Sequence, residues 1–270
     1  MKLDVKLHSL LRTLVLASVF IGGTAGATTL VLEGSDATTF HGDFTYTTQL
    51  LSFMQEGSPL PVAVFRNPGD GALLIPVATP VVYLDDLSTL DTATYSALYI
   101  MSPDGCCGQN LAGASLWATE IGAFYDGGMG GSVAIQDYTG GDWSFIDAVL
   151  ATPPAGTVLG FDTGMGGPIC TDLEVVNAEG LAKGFTQPPV LGCWEHQAYS
   201  NTYFGALGFL SLYDADPAYS AVGDGGTYSG LLALGGALGT PSVPEPTTLG
   251  LIGLGLLGLR MTKKRGMKAI

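Results

Sequence analysis

The first half of the chain alternates short apolar runs with segments of helical periodicity, and clusters of Gly, Pro, Asn and Asp separate them. The apolar runs predict strands at 29–33, 61–65, 81–84, 97–101 and 132–135. Helical spacing of apolar residues predicts helices at 44–55, 111–125 and 143–150. Strands of this length alternating with amphipathic helices are typical of a parallel sheet that is covered on both faces. The sequence therefore predicts an α/β domain with a mostly parallel sheet.

The pattern weakens after residue 157, where Gly interrupts the apolar runs. We interpret 158–161 as a strand, 171–181 as a helix, and 204–213 and 228–234 as longer strands. These later strands are expected to be antiparallel additions to the sheet. The alternative fold is an all-β sandwich, which predicts no helix at 111–125.

The segment ALYIMSP (97–103), the following helix that ends in FYDGGMGG (124–131), and the strand at 132–136 carry a resemblance of the body to class I glutamine amidotransferase-like domains. The resemblance covers about residues 29–200 and implies a flavodoxin-like sheet. Where that family places its nucleophilic cysteine on a sharp turn after a strand, this chain has AIQDY (134–138). Because the thiolate performs the chemistry, the resemblance implies a fold without glutamine hydrolysis.

The two ends of the chain have the composition of targeting segments. A basic start, an apolar run at 13–21 and the small residues Ala25, Gly26 and Ala27 form the pattern of a secretory signal peptide, which predicts cleavage after Ala27. At the other end a proline-rich linker (241–246) precedes an uncharged apolar segment and a basic tail (262–270). We interpret 247–261 as a short transmembrane helix with its basic flank in the cytoplasm. The exported body is then residues 28–240.

Val243, Pro244, Glu245 and Pro246, followed by the apolar segment and the basic tail, closely resemble the PEP-CTERM sorting signal of Gram-negative bacteria. The resemblance implies export, transient anchoring in the inner membrane and processing near this motif by an exosortase. Its implied partners are signal peptidase, exosortase and the inner membrane, with exopolysaccharide or other matrix components as candidates. The expected location is the periplasm, the cell surface or the medium.

Charge divides the chain in the same way as the targeting signals. Residues 28–243 hold 22 acidic residues and only two basic ones, Arg66 and Lys183, a net charge of −20. Such a field repels nucleic acid and anionic membrane surfaces and favours cations. The composition therefore excludes a nucleic-acid-binding function for the body.

Export to an oxidising compartment makes disulfides the favoured state of the four cysteines. Cys106 and Cys107 are adjacent, and we expect them to pair with Cys170 and Cys193 rather than with each other. The sequence does not choose between the connectivities. A zinc site built from these cysteines is disfavoured because no C-x-x-C spacing is present.

Candidate site residues lie in loops that follow predicted strands, where open α/β sheets bind their ligands. Asp36 and His41 follow the first strand, Asp137 follows the fifth, and Glu195 and His196 lie together late in the body. If these loops meet, the side chains form a metal or acid/base cluster. The alternative is that each histidine has only a local structural role and hydrogen-bonds to neighbouring groups.

A second acidic group comprises Asp214, Asp216 and Asp224. Its oxygens are of the kind that Ca²⁺ prefers, although the EF-hand spacing is missing and a plain acidic turn is the simpler interpretation. No resident cofactor is expected beyond weak Ca²⁺ binding at this group.

These observations favour an exported surface or matrix protein whose body is a non-catalytic binding or structural domain of unknown ligand. The alternative is an extracytoplasmic hydrolase with its site around His41, Asp137 and His196. A well-formed cluster of these side chains would favour a binding or catalytic body over a purely structural one.

Overall fold

A computed structural model describes residues 28–66, 77–102, 112–126, 130–137, 153–160, 175–187, 196–215 and 228–235. Contacts divide the chain into two units, Met1–Leu238 and Gly239–Ile270, and all of the described residues belong to the first. The signal peptide, the helix at 143–150 and the sorting segment with its transmembrane helix at 247–261 lie outside the described residues. No helix in the described ranges is long and apolar enough to cross a membrane.

The first half of the body follows the predicted order of strands and helices. The described elements are β1 (Thr29–Glu33), α1 (Phe44–Gln55), β2 (Val62–Phe65), β3 (Val81–Leu84), β4 (Ala97–Ile100), α2 (Ala112–Ser115), α3 (Ala118–Asp126) and β5 (Ser132–Gln136). Helices α2 and α3 lie in the segment for which the all-β sandwich predicted none, so that alternative is wrong.

The second half contains β6 (Val158–Gly160), β7 (Val175–Val176), α4 (Ala178–Ala182), β8 (Gln197–Ser200), α5 (Asn201–Ala206), β9 (Leu210–Asp214) and β10 (Tyr228–Gly235). The predicted helix at 171–181 is wrong at Val175–Val176, because this β-branched pair forms a strand that pairs with β9. The helix begins only after Asn177, whose side chain accepts a hydrogen bond from Gly180 N. The predicted strand at 204–213 is wrong in its first half. Helix α5 occupies this part of the chain instead: Ser200 caps its N-terminus, and Gly208, with a φ of 93°, ends the turn that follows it.

The sheet joins a parallel half to an antiparallel half. Its strand order is β3-β2-β4-β5-β1-β10-β8-β6, with β9 on β10 and β7 on β9. Strands β1 to β5 pair in parallel, whereas every pairing of β6 to β10 is antiparallel. The predicted α/β class and the antiparallel additions after residue 157 agree with this sheet. The parallel order β3-β2-β4-β5-β1 differs from the 2-1-3-4-5 order of flavodoxin-like sheets, because β1 lies beside β5 and not between β2 and β3.

Alternate residues of the central strands pack against different layers, as the pleat of a strand requires. Leu30 and Leu32 of β1 belong to a core cluster with Ile121 and Phe124 of α3, whereas Val31 belongs to a cluster with Leu50 of α1. Helices therefore cover both faces of the sheet. Asp43 caps the N-terminus of helix α1, and its Oδ1 accepts a hydrogen bond from Tyr46 N at 2.6 Å.

Strands β1 and β8 lie end to end along the same edge of β10. Glu33 pairs with Leu231, and Tyr199 of β8 pairs with Ser229 two residues further along β10. Gly34 forms the junction, because its carbonyl oxygen accepts from His196 N at 2.7 Å and from Gln197 N at 2.8 Å. A Cβ at Gly34 would lie 2.0 Å from Gln197 O, so only glycine permits this close approach. The junction brings two distant segments of the chain together.

Candidate functional site

The candidate site lies where β1 ends at the Gly34 junction. The chain leaves the sheet there and turns through Ser35 and Asp36 into a loop that is fastened by Thr39 N donating to Asp36 O at 2.9 Å and Asp43 N donating to Ala37 O at 2.7 Å. His196 enters from the other side of the junction on the first residue before β8. The loop and β8 thus face each other across the carboxyl end of β1, the position at which open α/β sheets bind ligands.

Three side chains meet at this point. Asp36 Oδ2 lies 2.6 Å from His41 Nδ1 and 3.1 Å from His196 Nε2, so one carboxylate oxygen contacts both imidazoles. The two rings lie almost parallel, with centroids 6.2 Å apart and an interplanar angle of 17°. Asp36 is 0% exposed and His196 is 3% exposed, while the His41 side chain is 30% exposed. We call Asp36, His41 and His196 the His–Asp cluster.

The second oxygen of Asp36 is unusual because Oδ1 is buried and has no hydrogen-bond partner among the described residues. A buried carboxylate oxygen without a partner is costly in a folded protein. Nor does any Lys or Arg form an ion pair with Asp36 within the part of the chain that the structure describes. Arg66 instead pairs with Asp85 at 2.7 Å. The cluster therefore offers a buried carboxylate oxygen with capacity for a further cation or donor.

A buried network of polar side chains connects the loop that carries Asp36 to the sheet. Tyr99 of β4 donates its hydroxyl to Glu33 Oε2, and the same hydroxyl lies 2.5 Å from Thr38 Oγ1. Burial and the charge of Glu33 raise the pKa of Tyr99 well above its ordinary value, so the phenol stays protonated as the donor. Glu33 and Tyr99 were missed by sequence reasoning. The sequence signal that could have found them is a polar residue near the end of an otherwise apolar strand.

Gln136, at the end of β5, forms hydrogen bonds to the loop that carries Asp36. Its Nε2 lies 3.2 Å from Ser35 O, 3.2 Å from Thr38 Oγ1 and 2.8 Å from Thr39 Oγ1. Its Oε1 accepts from Ser102 N at 2.9 Å, at the end of the neighbouring strand β4. This residue also escaped sequence reasoning. A single amide thus fixes the loop that carries Asp36 against two parallel strands.

Asp137 follows Gln136 and is fully buried beside the same strand end. Its backbone N donates to Glu33 O at 2.7 Å, and its φ of 55° places it in the left-handed region that non-glycine residues seldom adopt. Asp137 does not belong to the His–Asp cluster, whose ligand atoms all lie within 4.8 Å of one another. Its charge acts on Tyr99, where it contributes to the raised pKa. Asp137 is therefore a neighbour of the cluster rather than a member.

The remaining predicted site residues lie elsewhere. Asp214 does not belong to the cluster of possible metal ligands found among the described residues. Its Oδ1 accepts hydrogen bonds from Asn177 Nδ2 at 3.1 Å and from Ser211 Oγ at 3.2 Å. Several predicted residues fall outside the described residues: Glu195, Asp216, Asp224, Cys106, Cys107, Cys170, Cys193, Ala25, Ala27, Val243, Pro244, Glu245 and Pro246.

The geometry of the His–Asp cluster suits two kinds of chemistry. Two imidazoles and one carboxylate form a common ligand set for transition metals. A carboxylate bonded to His41 Nδ1 also fixes the tautomer and orientation of a ring whose side chain reaches solvent, as in acid/base catalysis. Both uses require the same Asp36 oxygen.

The fold and the cluster define an α/β domain with a histidine–carboxylate site at the carboxyl end of its first strand. The comparisons with known proteins identify a second, separate feature: residues 242–265 match the PEP-CTERM protein-sorting motif. This match agrees with the resemblance seen in the sequence and supports export and processing by an exosortase. Neither a curated protein nor a solved structure matches the chain. The resemblance of the body to glutamine amidotransferase-like domains therefore has no support.

Proposed function

We propose that the protein is exported, is anchored transiently in the inner membrane by residues 247–261, and is released after exosortase processing near Pro244–Glu245–Pro246. The match of residues 242–265 to the sorting motif supports this proposal. Charge supports it as well, because basic flanks such as 262–270 stay in the cytoplasm, which leaves the acidic body on the far side of the membrane.

The sorting proposal is tested by following the tagged chain in a host that carries an exosortase and in the same host without it. We expect a shortened product at the cell surface or in the medium of the first host, and a full-length chain retained in the inner membrane of the second. Glu245→Ala should block shortening in the first host. Pro241→Ala changes a proline of the same linker outside the motif and should be processed normally. A cytoplasmic chain that retains its leader contradicts the proposal.

For the body, we infer a non-catalytic binding domain whose site is the His–Asp cluster. The observation that carries this inference is the fully buried Asp36, which shares one oxygen between two histidines while the other oxygen has no partner among the described residues. A purely structural domain gains nothing from such a centre, because a buried charge destabilises the fold unless it is fully paired.

The binding role is tested by a thermal-shift screen of metal salts and of polysaccharide fragments, because a ligand that binds only the folded chain raises its melting temperature. We expect at least one ligand to raise the melting temperature of the wild type and to have no effect on His41→Ala. If no ligand acts on the wild type, the body is a structural component.

The second candidate function is hydrolysis, and the 2.6 Å contact between Asp36 Oδ2 and His41 Nδ1 favours it. In that case His41 acts as the general base and Asp36 orients it. Ester, amide, glycoside and phosphoester substrates are tested with chelator present. Activity that falls about 10²- to 10⁴-fold in His41→Ala identifies an enzyme. Absence of turnover of every substrate class leaves the binding domain as the function.

A further inference from the structure

We propose that Asp36, His41 and His196 bind a divalent transition metal ion of the Zn²⁺ class. The inference rests on the binding role proposed for the body and names its ligand. It differs from the calcium binding considered for Asp214, Asp216 and Asp224, both in its residues and in the chemistry of the ion.

The donor set selects the ion. Two imidazole nitrogens and one carboxylate oxygen suit Zn²⁺, Co²⁺, Ni²⁺ or Cu²⁺, which favour nitrogen ligands. Ca²⁺ and Mg²⁺ instead take shells of oxygen ligands, six to eight for Ca²⁺, and gain little from imidazole. The His–Asp cluster offers one carboxylate only. Its chemistry therefore excludes an alkaline-earth ion as the preferred ligand.

The positions of the atoms already approach those of a metal centre. Ligand atoms around a tetrahedral Zn²⁺ are separated by about 3.3 Å, given metal–ligand bonds of about 2.0–2.1 Å. Asp36 Oδ2 lies 3.1 Å from His196 Nε2 and 2.6 Å from His41 Nδ1, and all three atoms lie within 4.8 Å of one another. Shifts of about an ångström or less per side chain would open the cluster around the ion.

Burial and charge both favour a bound cation. Asp36 is fully buried, and its Oδ1 has no hydrogen-bond partner in the described ranges. An ion on Oδ2 neutralises this carboxylate, and a shift of the ion toward Oδ1 gives the second oxygen a partner as well. His41 is the most exposed member of the cluster at 30%, so the ion enters from the side of its ring. The strongly acidic body attracts cations toward this entrance.

Hydrogen bonds hold the backbone segments that carry Asp36 and His196 in place. Gln136 fixes the loop that carries Asp36, and the bond from His196 N to Gly34 O fixes the backbone of the third ligand. Outer partners that orient ligands in this way usually contribute strongly to metal affinity. Three protein ligands also leave at least one coordination position for water or another ligand.

The test uses the exported chain purified without a polyhistidine tag, stripped with EDTA and titrated with Zn²⁺ by calorimetry. Co²⁺ serves as the spectroscopic probe, because its visible absorption reports the coordination geometry. We expect one Zn²⁺ per chain and an increase in melting temperature. His41→Ala should weaken Zn²⁺ binding by at least the roughly 10- to 100-fold that loss of an outer partner costs. His196→Gln and Asp36→Asn, which keep most of the buried volume, should do the same.

Glu179→Gln is the matched control, because Glu179 is an exposed acid on α4 that lies outside the cluster. It should bind Zn²⁺ as the wild type does. Circular dichroism checks that each variant is folded, and His41→Ala keeps the test decisive because its side chain is partly exposed. The proposal is overturned if the wild type binds no Zn²⁺, if His41→Ala binds it equally well, or if Ca²⁺ is preferred. A polysaccharide fragment that binds while Zn²⁺ does not would overturn this inference and leave the binding role of the body intact.

Discussion

Replacement of Tyr99 by Phe removes one hydroxyl from the network beneath the site and keeps the ring in place. That hydroxyl donates to the buried Glu33 carboxylate and lies 2.5 Å from Thr38 Oγ1. A hydrogen bond to a charged group contributes about 1.5–3 kcal/mol, and a neutral one contributes about 1 kcal/mol. We expect Tyr99→Phe to lower the free energy of unfolding by about 2.5–4 kcal/mol, the sum of the two contributions, measured by urea denaturation at pH 7.

Tyr83→Phe is the control, because Tyr83 is a half-buried residue of the edge strand β3. It should lower the free energy of unfolding by less than Tyr99→Phe does, because it leaves the bond between Tyr99 and Glu33 intact. A change below about 0.5 kcal/mol in Tyr99→Phe would refute the reasoning, because Glu33 would then not depend on this donor.

The same substitution has a signature at alkaline pH. Burial first, and then Glu33, raise the pKa of Tyr99 above its ordinary value of 10.0, so the folded chain holds this proton more tightly than the unfolded chain. The contribution of Tyr99 to stability is therefore fully present below pH 10 and is lost as pH rises toward the folded pKa. The wild type should lose stability above pH 10 more steeply than Tyr99→Phe, by up to about 1.4 kcal/mol per pH unit.

Three further substitutions test the rest of the site and the sheet. Gln136→Ala should weaken Zn²⁺ binding by about 10- to 100-fold in the calorimetric titration, because the loop of Asp36 loses its tie to the strands. Gln55→Ala, which removes a comparable bond to Leu60 O at the far end of α1, should leave Zn²⁺ affinity unchanged, and equal losses in both would argue against a positioning role. Gly34→Ala should both destabilise the fold and weaken Zn²⁺ binding, because the new Cβ would lie 2.0 Å from Gln197 O. A variant with normal melting temperature and normal Zn²⁺ affinity would contradict the close approach of the backbone at Gly34. Glu56→Gln should stabilise the chain at pH 7 but not at pH 4. Burial raises the pKa of Glu56 in the folded chain, so the stability that its protonated carboxyl contributes is lost as pH rises through that pKa. A difference in the free energy of unfolding that does not change with pH would count against this cause.

The parallel half of the fold was predictable because four of its five strands, β1, β2, β4 and β5, are buried on both faces and therefore read as mostly continuous apolar runs. Ala97–Ile100 is a clear example, since all four of its residues are buried. The antiparallel half was harder because its elements are short and their apolar residues fit more than one period. Phe204 and Leu212 suggested a single strand, but α5 ends and β9 begins between them. The local signals were Ser200 and Asn177 as helix caps and Gly208 as the end of a helix.

The candidate site was predictable in part. The sequence offered a cluster of Asp36, His41, Asp137, Glu195 and His196 as one of two alternatives, because loops after parallel strands share one edge of the sheet. The structure brings Asp36, His41 and His196 of this group together. No sequence signal indicated that β8 continues the line of β1 along β10, and this pairing is what places His196 beside Asp36. Glu33 and Gln136 escaped notice because a polar residue at the end of an apolar strand is usually exposed, whereas both are fully buried here.

The end-to-end arrangement of β1 and β8 sets the time at which the site can form. A chain that crosses a membrane with its amino terminus first delivers Asp36 and His41 early and delivers His196 and β10 (Tyr228–Gly235) last. Until β10 arrives, β1 and β8 share no neighbouring strand, and the two bonds to Gly34 O are the described hydrogen bonds that hold His196 and Gln197 beside the end of β1. We therefore expect the proposed ion to bind after translocation, from the supply outside the cytoplasm. Occupancy of the proposed site would then report the metal content of the compartment in which the chain finishes folding.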